Sequence, residues 1–417
     1  MNKLINKKKI FILFISLIVS IFIITISQDR IFWEWFFGNL AMVPPQWPSF
    51  SDFNATNEAL RSIKDGHDPY FKNPHDSHGV SYVYPKIWLI IYDTLHLQNT
   101  KIYLFICFTV LALYFFILLN FFSLFKKKYY YTFLLFFFIS PTNTLLIERL
   151  NSDIIIFILT YFLIITNNFI IKNIFFLTSV ALKIYPIFSI IIFFNNKKIF
   201  YTIIISLILI YIIYDQILLG NKNMIEYALI FAYGARTFAN AIFRVLGNYN
   251  YFLNQENYEY LKIFLILFFI TISLIFFAKG LKKKRNYNKN FSEFFIIGSS
   301  VYLGTFIFTS NIDYRLIFLI YTFPLVFFNI KKWYEKIFLI SCFISFYSLW
   351  FQSGDYKSIT FMLKAIFIYT LKFYIFLYLS YKLGSVLSNY KIIKIINRYI
   401  ESLGKILLNS LKKISNQ

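Results

Sequence analysis

The sequence predicts an all-α polytopic membrane protein with about ten transmembrane helices, and three observations predict it. Hydrophobic residues make up 59% of the 417, with 55 Phe and 33 Tyr, and many apolar runs reach the ~20 residues a helix needs to cross a ~30 Å hydrocarbon core. The formal charge of +23 sits in short Lys clusters between those runs, the pattern left when Lys and Arg are retained on the cytoplasmic side. No nucleic-acid partner is expected from such clusters. One water-facing stretch, 51–85, interrupts the apolar sequence and gathers Asp52, Glu58, Asp65, Asp68 and Asp76 with three of the four histidines. The remaining chain reads as a scaffold for that stretch.

Lys3, Lys7, Lys8 and Lys9 precede the apolar run 10–26, which lacks a small-x-small cleavage site. It is expected to be an uncleaved signal anchor with its N-terminus inside. Residues 28–98 then form the first extracytoplasmic loop, in which Arg30, Trp33, Trp35 and Trp47 suit the interface. Within it, 86–98 is too short to cross and is expected to lie along the surface or dip in. The stretch 101–125 spans and ends at Lys126, Lys127 and Lys128. The next span, 129–147, returns outward and delivers Glu148, Arg149, Asn151 and Asp153 to the face of the first loop, and 154–171 goes back.

The run 173–194 contains Lys183 and Pro186 and is followed by Lys197 and Lys198. Keeping those lysines inside requires a hairpin of two short helices broken near Lys183-Ile184-Tyr185-Pro186, tolerated only where protein or a water-filled cavity satisfies the backbone. The remaining spans are 199–219, 261–278, 291–309, 316–328, 337–351 and 359–380, giving ten crossings with both termini inside. Residues 1–380 thus form the transmembrane domain. The tail 381–417 carries Lys391, Lys394, Arg398, Lys405, Lys412 and Lys413 beside apolar residues at helical spacing, and is expected to be a cytoplasmic amphipathic helix on anionic membrane lipids.

Asp52 precedes 53–64, where Ala55, Ala59, Leu60 and Ile63 are spaced for a short helix and Gly66 suits its end. Two compatible roles follow for Asp52: an N-cap, or a general base toward a hydroxyl. Arg315, Arg149 and Lys183 are charges within or beside spans, where charge is expensive and usually functional, and guanidinium grips phosphate bidentately. Locally, Arg315 could instead pair with Asp313, Arg149 with Glu148 or Asp153, and Lys183 could snorkel to the cytoplasm. Tyr70, Tyr82, Tyr84 and Trp88 suit either sugar stacking or anchoring. His67, His75, His78 and His96 lie near Asp68 and Asp76, but no second pair accompanies His75-x-x-His78 at a metal-site spacing. No metal or other cofactor is expected. Cys107 and Cys342 read as core residues, and with 12 Gly there is no phosphate loop or Rossmann fingerprint.

The elements Asp52-Phe53, Gly66-His67-Asp68-Pro69-Tyr70 and Tyr82-Val83-Tyr84-Pro85 resemble the first extracytoplasmic loop of GT-C fold glycosyltransferases of the polyprenyl-phosphate-mannose-dependent type, glycosyltransferase family 87 and its relatives. Glu148-Arg149-Leu150-Asn151-Ser152-Asp153 resembles their polar turn, Leu182-Lys183-Ile184-Tyr185-Pro186 their Lys-x-x-Pro element, and Asp313-Tyr314-Arg315 a further match, in order over 50–330. The chain departs from the pattern at Lys86, where a second proline is common, and at Glu148-Arg149, where Gly-Gln is usual.

The resemblance implies a GT-C-like bundle with a re-entrant or broken helix pair and a helical first loop. It implies a hexosyltransferase in the cytoplasmic (inner) membrane that moves mannose, or another hexose or pentose, from a polyprenyl-phosphate donor. The acceptor would be a glycolipid or glycan hydroxyl on the extracytoplasmic face, with inversion and without metal. By resemblance Asp52 is the base, and Arg315, Arg149, Lys183, Asp68, Tyr70, Tyr84 and Asp153 contact the substrates. A transporter or flippase of lipid-linked sugars would also need charges near spans; the gathering of polar residues at span ends favours the enzyme.

Overall fold

The computed structural model describes residues 2–77, 79–123, 129–194, 199–220, 232–248, 255–283, 287–308, 311–328, 330, 332–352, 358–388 and 390. Five helices are long and apolar enough to cross a membrane: Lys9–Ile26, Thr100–Ser123, Asn257–Leu281, Lys289–Phe308 and Ile359–Leu387. The shorter apolar helices Asp153–Ile165, Phe169–Leu182 and Ile199–Tyr211 pack among them. Phe14, Phe105, Phe264, Leu267 and Phe367 point outward from their helices, and helices that carry apolar side chains on their outer as well as their inner faces belong in lipid. The architecture is that of an all-helical membrane protein. Among the described residues the exception is a two-residue antiparallel bridge, Ala232–Tyr233 against Asn311–Ile312.

Several stretches that read as single spans consist of two pieces. The stretch 129–147 divides into Tyr129–Phe138 and Pro141–Arg149, because Ser140 accepts the Asn143 N–H and Pro141 fills the first helical position, both start signals. The stretch 316–328 opens as the 3-10 segment Asp313–Thr322 and continues as the helix Phe323–Phe328. The stretch 337–351 is the helix Trp333–Phe346 followed by 3-10 turns at Ser348–Gln352. The final span runs through residue 380 to Leu387, with Leu383, Val386 and Leu387 buried; residues 391–417 of the expected tail lie outside the described residues.

The break near Lys183 falls where the sequence places it. The helix Phe169–Leu182 stops, and 3-10 turns at Tyr185–Phe193 fold back along it, bringing Phe193 to 5.4 Å from Phe176 and 5.9 Å from Phe169 between ring centroids. Pro186 has no N–H to give to the Leu182 carbonyl four residues earlier. The indole Nε1–H of Trp88 donates to that carbonyl instead, at 3.0 Å, so protein satisfies the interrupted backbone.

Trp88 belongs to the helix Lys86–Thr94, which buries Trp88, Leu89 and Tyr92. That helix packs on the loop helix Ser51–Lys64, with the Phe53 and Tyr92 rings 5.2 Å apart and the Tyr92 hydroxyl donating to the Phe53 carbonyl at 2.7 Å. At the other side of the bundle the helices ending at Leu281 and Leu387 touch backbone to backbone. A Cβ on Gly280 would stand 1.9 Å from the Tyr381 carbonyl oxygen, and one on Gly384 2.1 Å from that of Phe277, the close approach that small residues permit between membrane helices.

Candidate functional site

Four segments far apart in the chain meet at one end of the bundle: the start of the loop helix, the turn 149–153, the hairpin tip 183–185 and the turn 311–315. Asp153 is the centre. It opens the helix Asp153–Ile165, where the aligned peptide dipoles favour an anion, and it is fully buried. Its Oδ1 accepts from the Lys183 ammonium and, at 2.7 Å, from the Tyr185 hydroxyl; its Oδ2 accepts from Arg315 Nε at 3.2 Å.

Asn151 links this centre to the loop helix. Its Oδ1 accepts from Lys183 Nζ at 2.9 Å and from the Asp153 N–H at 3.0 Å, while its Nδ2 donates to Asp52 Oδ2. An ammonium on one side and a carboxylate on the other leave the amide one orientation. Arg315 donates through Nη1 to Asn311 Oδ1, its guanidinium lies 5.2 Å from the Tyr185 ring centroid, and Lys183 Nζ lies 5.8 Å from that of Tyr84. Asn311 is itself fixed by the two-residue bridge and by its Nδ2 bond to the Thr305 carbonyl at 2.8 Å.

Asp52 is not an N-cap. The loop helix starts at Ser51, and Phe50 stands at the cap in left-handed conformation with φ 58° and ψ 42°, so Asp52 is the second helical residue. Its carboxylate is half-buried and makes no ion pair among the described residues. Burial pushes its pKa above the ordinary Asp value of 3.8, against the opposing pull of Arg149, the Asn151 bond and Lys183.

The remaining expected residues separate into neighbours and outliers. Arg149 pairs with Glu148 at 2.8 Å and donates to Ser51 Oγ at 3.3 Å and to the Pro44 carbonyl at 3.2 Å, so its fork ties the turn to the first loop. Glu148 accepts from the Gln46 N–H at 2.6 Å and the Trp33 indole at 3.3 Å. Tyr84 faces Lys183. Tyr70 is buried behind it and donates to the Tyr84 carbonyl at 3.0 Å. Asp68 is exposed, accepts the Tyr70 N–H at 3.0 Å and shapes its own turn; among the described residues no hydrogen bond or ion pair joins it to the cluster. Tyr82 is buried beside Thr56, and Trp88 is spent on the hairpin backbone.

The local pairing that the sequence offers for Arg315 is replaced by longer-range ones. Arg315 pairs with Asp153, and Asp313 with Lys372. Lys183, 7% exposed, is held by Asn151 and Asp153 and does not reach toward the other side. Tyr185, Asn151, Asn311 and Lys372 are not among the residues the sequence singles out for the site; a lysine inside a long apolar helix is the signal that could have found the last of them.

His75 shares a hydrogen bond with Asp65, His78 lies outside the described residues, and among the described residues no three His, Cys, Asp or Glu side chains are grouped for a metal. A cavity of about 420 Å³ lies among Phe169, Lys172, Tyr287, Lys289 and Glu293, at the far ends of the helices that lead to Lys183 and Asn311, and is separate from the cluster. No protein-family model, curated protein or solved structure matches the chain.

Proposed function

We propose that the protein is a membrane glycosyltransferase that moves a sugar from a polyprenyl-phosphate donor to a hydroxyl acceptor, at the extracytoplasmic face of a ten-span bundle with both termini in the cytoplasm. One observation carries the reading: a half-buried carboxylate with no ion pair among the described residues, Asp52, is linked through one amide to two cations gathered on Asp153. The donor's own phosphate is the leaving group, so the chemistry asks for a base and for cations, and no general acid.

Asp52 takes the proton of the acceptor hydroxyl, whose oxygen forms the new bond to the anomeric carbon. The bond from that carbon to the phosphate oxygen breaks on the opposite face, its electron pair stays on the phosphate, and the configuration inverts. Before the reaction the carboxylates of Asp52 and Asp153 offset the charges of Lys183 and Arg315. Once Asp52 is protonated the four carry one net positive charge, just as the phosphate gains its second negative one. Stabilisation therefore grows toward the transition state, which raises turnover as well as affinity. Arg315 suits the phosphate contact because Nε and Nη1 hold its plane while Nη2 has no hydrogen bond among the described residues; Tyr84 would border the sugar.

The test is sugar transfer by the purified protein in detergent, with short-chain polyprenyl-phosphate mannose, glucose and arabinose as donors and glycolipid hydroxyls as acceptors. Mass spectrometry should find a glycosylated acceptor and equal released polyprenyl phosphate. Absence of transfer from every such donor, together with movement of lipid-linked sugar across sealed vesicles, would replace the enzyme by a transporter.

A further inference from the structure

We propose that Lys372, near the middle of the helix Ile359–Leu387, is a positioning residue for the donor phosphate; this rests on the glycosyltransferase reading above. Its ammonium is fully buried and donates to Asp313 Oδ1 at 2.8 Å, to Asp313 Oδ2 at 2.7 Å and to the Ala232 carbonyl at 3.1 Å. Ala232 belongs to the two-residue bridge, in which it faces Ile312 and Tyr233 faces Asn311, and Asp313 directly follows the second strand. One ammonium thereby clamps both strands, and the clamped turn presents Asn311 and Arg315. Ser348 donates to the same Asp313 carboxylate, and the Tyr302 hydroxyl donates to the Lys372 carbonyl at 2.9 Å, so the clamp is held from two further elements.

A buried ion pair seldom adds stability beyond what a well-packed apolar pair of similar size gives. Its distinctive product is direction, because charge fixes which atoms face each other. Here the direction set at Lys372 passes through Asp313 and the bridge to Asn311, whose Oδ1 receives Arg315 Nη1, and so to the guanidinium edge left for a phosphate. The same helix supplies a built-in control. Lys382 donates to Glu335 Oε1 at 2.7 Å and is equally buried, yet it lies about 15 Å further along the axis and touches neither the bridge nor Arg315.

The experiment compares two double variants, Lys372→Met with Asp313→Asn, and Lys382→Met with Glu335→Gln. Each removes both charges, so neither leaves an unpaired buried ion. The first should raise the donor KM by about tenfold to a hundredfold, the scale of an ångström misplacement, with the acceptor KM unchanged and faster amide exchange in 232–243 and 311–322. The second should leave the donor KM at the parental value. An unchanged donor KM in the first, or the same rise in both, overturns the proposal. If the first double variant does not fold, Lys372→Arg carries the same readings, since the charge stays and its position shifts. Exchange in the two segments is read without turnover: a parent with no transferase activity sinks the enzyme reading, whereas unaltered exchange in the Lys372 variants sinks the clamp.

Discussion

Replacing Asp52 by Asn removes a proton-accepting oxygen and changes little else. The loop helix loses an anion in its first turn, which costs about 0.3 to 1 kcal/mol, and the Asn151 amide keeps an oxygen to donate to. Against that stands the carboxylate's own burial. Because the folded chain raises the Asp52 pKa above 3.8, it binds that proton more tightly than the unfolded chain does. The contribution to stability is therefore full at low pH and is lost as pH rises through the folded pKa, so at neutral pH the ionised group is a net burden. The Asn variant should accordingly melt at the same temperature as the parent, or higher, at neutral pH. Turnover should fall about a hundredfold or more, the usual effect of removing a general base, equivalent to at least ~2.7 kcal/mol of barrier. The assay is detergent-phase transfer beside thermal melting, with kcat/KM followed against pH. In the parent the acid limb should lie above the ordinary Asp range, and it should vanish in the variant's residual activity. Parental turnover in Asp52→Asn, or a melting temperature well below the parent's, would refute the assignment of that carboxylate as the base.

Three further outcomes can be checked. Arg315→Ala should weaken apparent donor affinity by about 2 to 5 kcal/mol, the worth of a desolvated charge-assisted bond to an anion, with Arg315→Lys intermediate because it keeps the charge and loses the fork; an unchanged donor KM in both would remove Arg315 from the phosphate. Trp88→Phe keeps the ring but leaves the Leu182 carbonyl without its donor, and thermal melting should show a loss of about 1 to 3 kcal/mol, with faster exchange at the hairpin tip. Cysteines placed at the exposed positions Lys72 and Lys282 should respond oppositely to a membrane-impermeant thiol reagent in intact cells, the first reacting and the second protected; equal labelling would contradict the topology.

The hairpin break was legible because its causes are local. A lysine in an apolar run, and a proline that cannot donate to the carbonyl four residues back, both write themselves into the sequence. The split at Ser140-Pro141 is just as local, a cap followed by a first-turn proline, but the apolar content of 129–147 conceals it from a reading by hydropathy. The pairing of Arg149 with its neighbour Glu148 was legible, but the partners of Arg315 and Asp313 were not. Asp313 and Arg315 stand two apart, and residues at that spacing on a helical segment do not face each other. Arg315 therefore turns to Asp153, 162 positions away, and Asp313 to Lys372, 59 away. For these two charges sequence neighbourhood favours a pairing that geometry forbids, and the true pairs exist only once the bundle brings distant turns together. Phe50, rather than Asp52, takes the cap position in left-handed conformation, with its ring packed against that of Trp33, 5.1 Å away, and no propensity for aromatic caps announces it.

If the proposed function holds, the length of the hairpin bears on the kind of donor. The helix Phe169–Leu182 has 14 residues, so it rises only about 21 Å before the backbone breaks, short of the ~30 Å hydrocarbon thickness. Entering from the cytoplasmic side in the proposed topology, it holds the Lys183 ammonium below the outer water interface, and Asp153, Asn151 and Arg315 must come down to the same level to meet it. Cations at that depth are costly unless paired, which the shared Asp153 accomplishes. A water-soluble sugar nucleotide would have to descend into this layer with its whole charged carrier. A polyprenyl phosphate reaches it from the other direction, with its chain in hydrocarbon and its phosphate at the boundary, where an edge of the Arg315 guanidinium stands without a hydrogen-bond partner among the described residues. In the proposed topology the first loop would cover the site from the water side, and Asp52, half-buried at the start of its helix, would meet a hydroxyl arriving from that side.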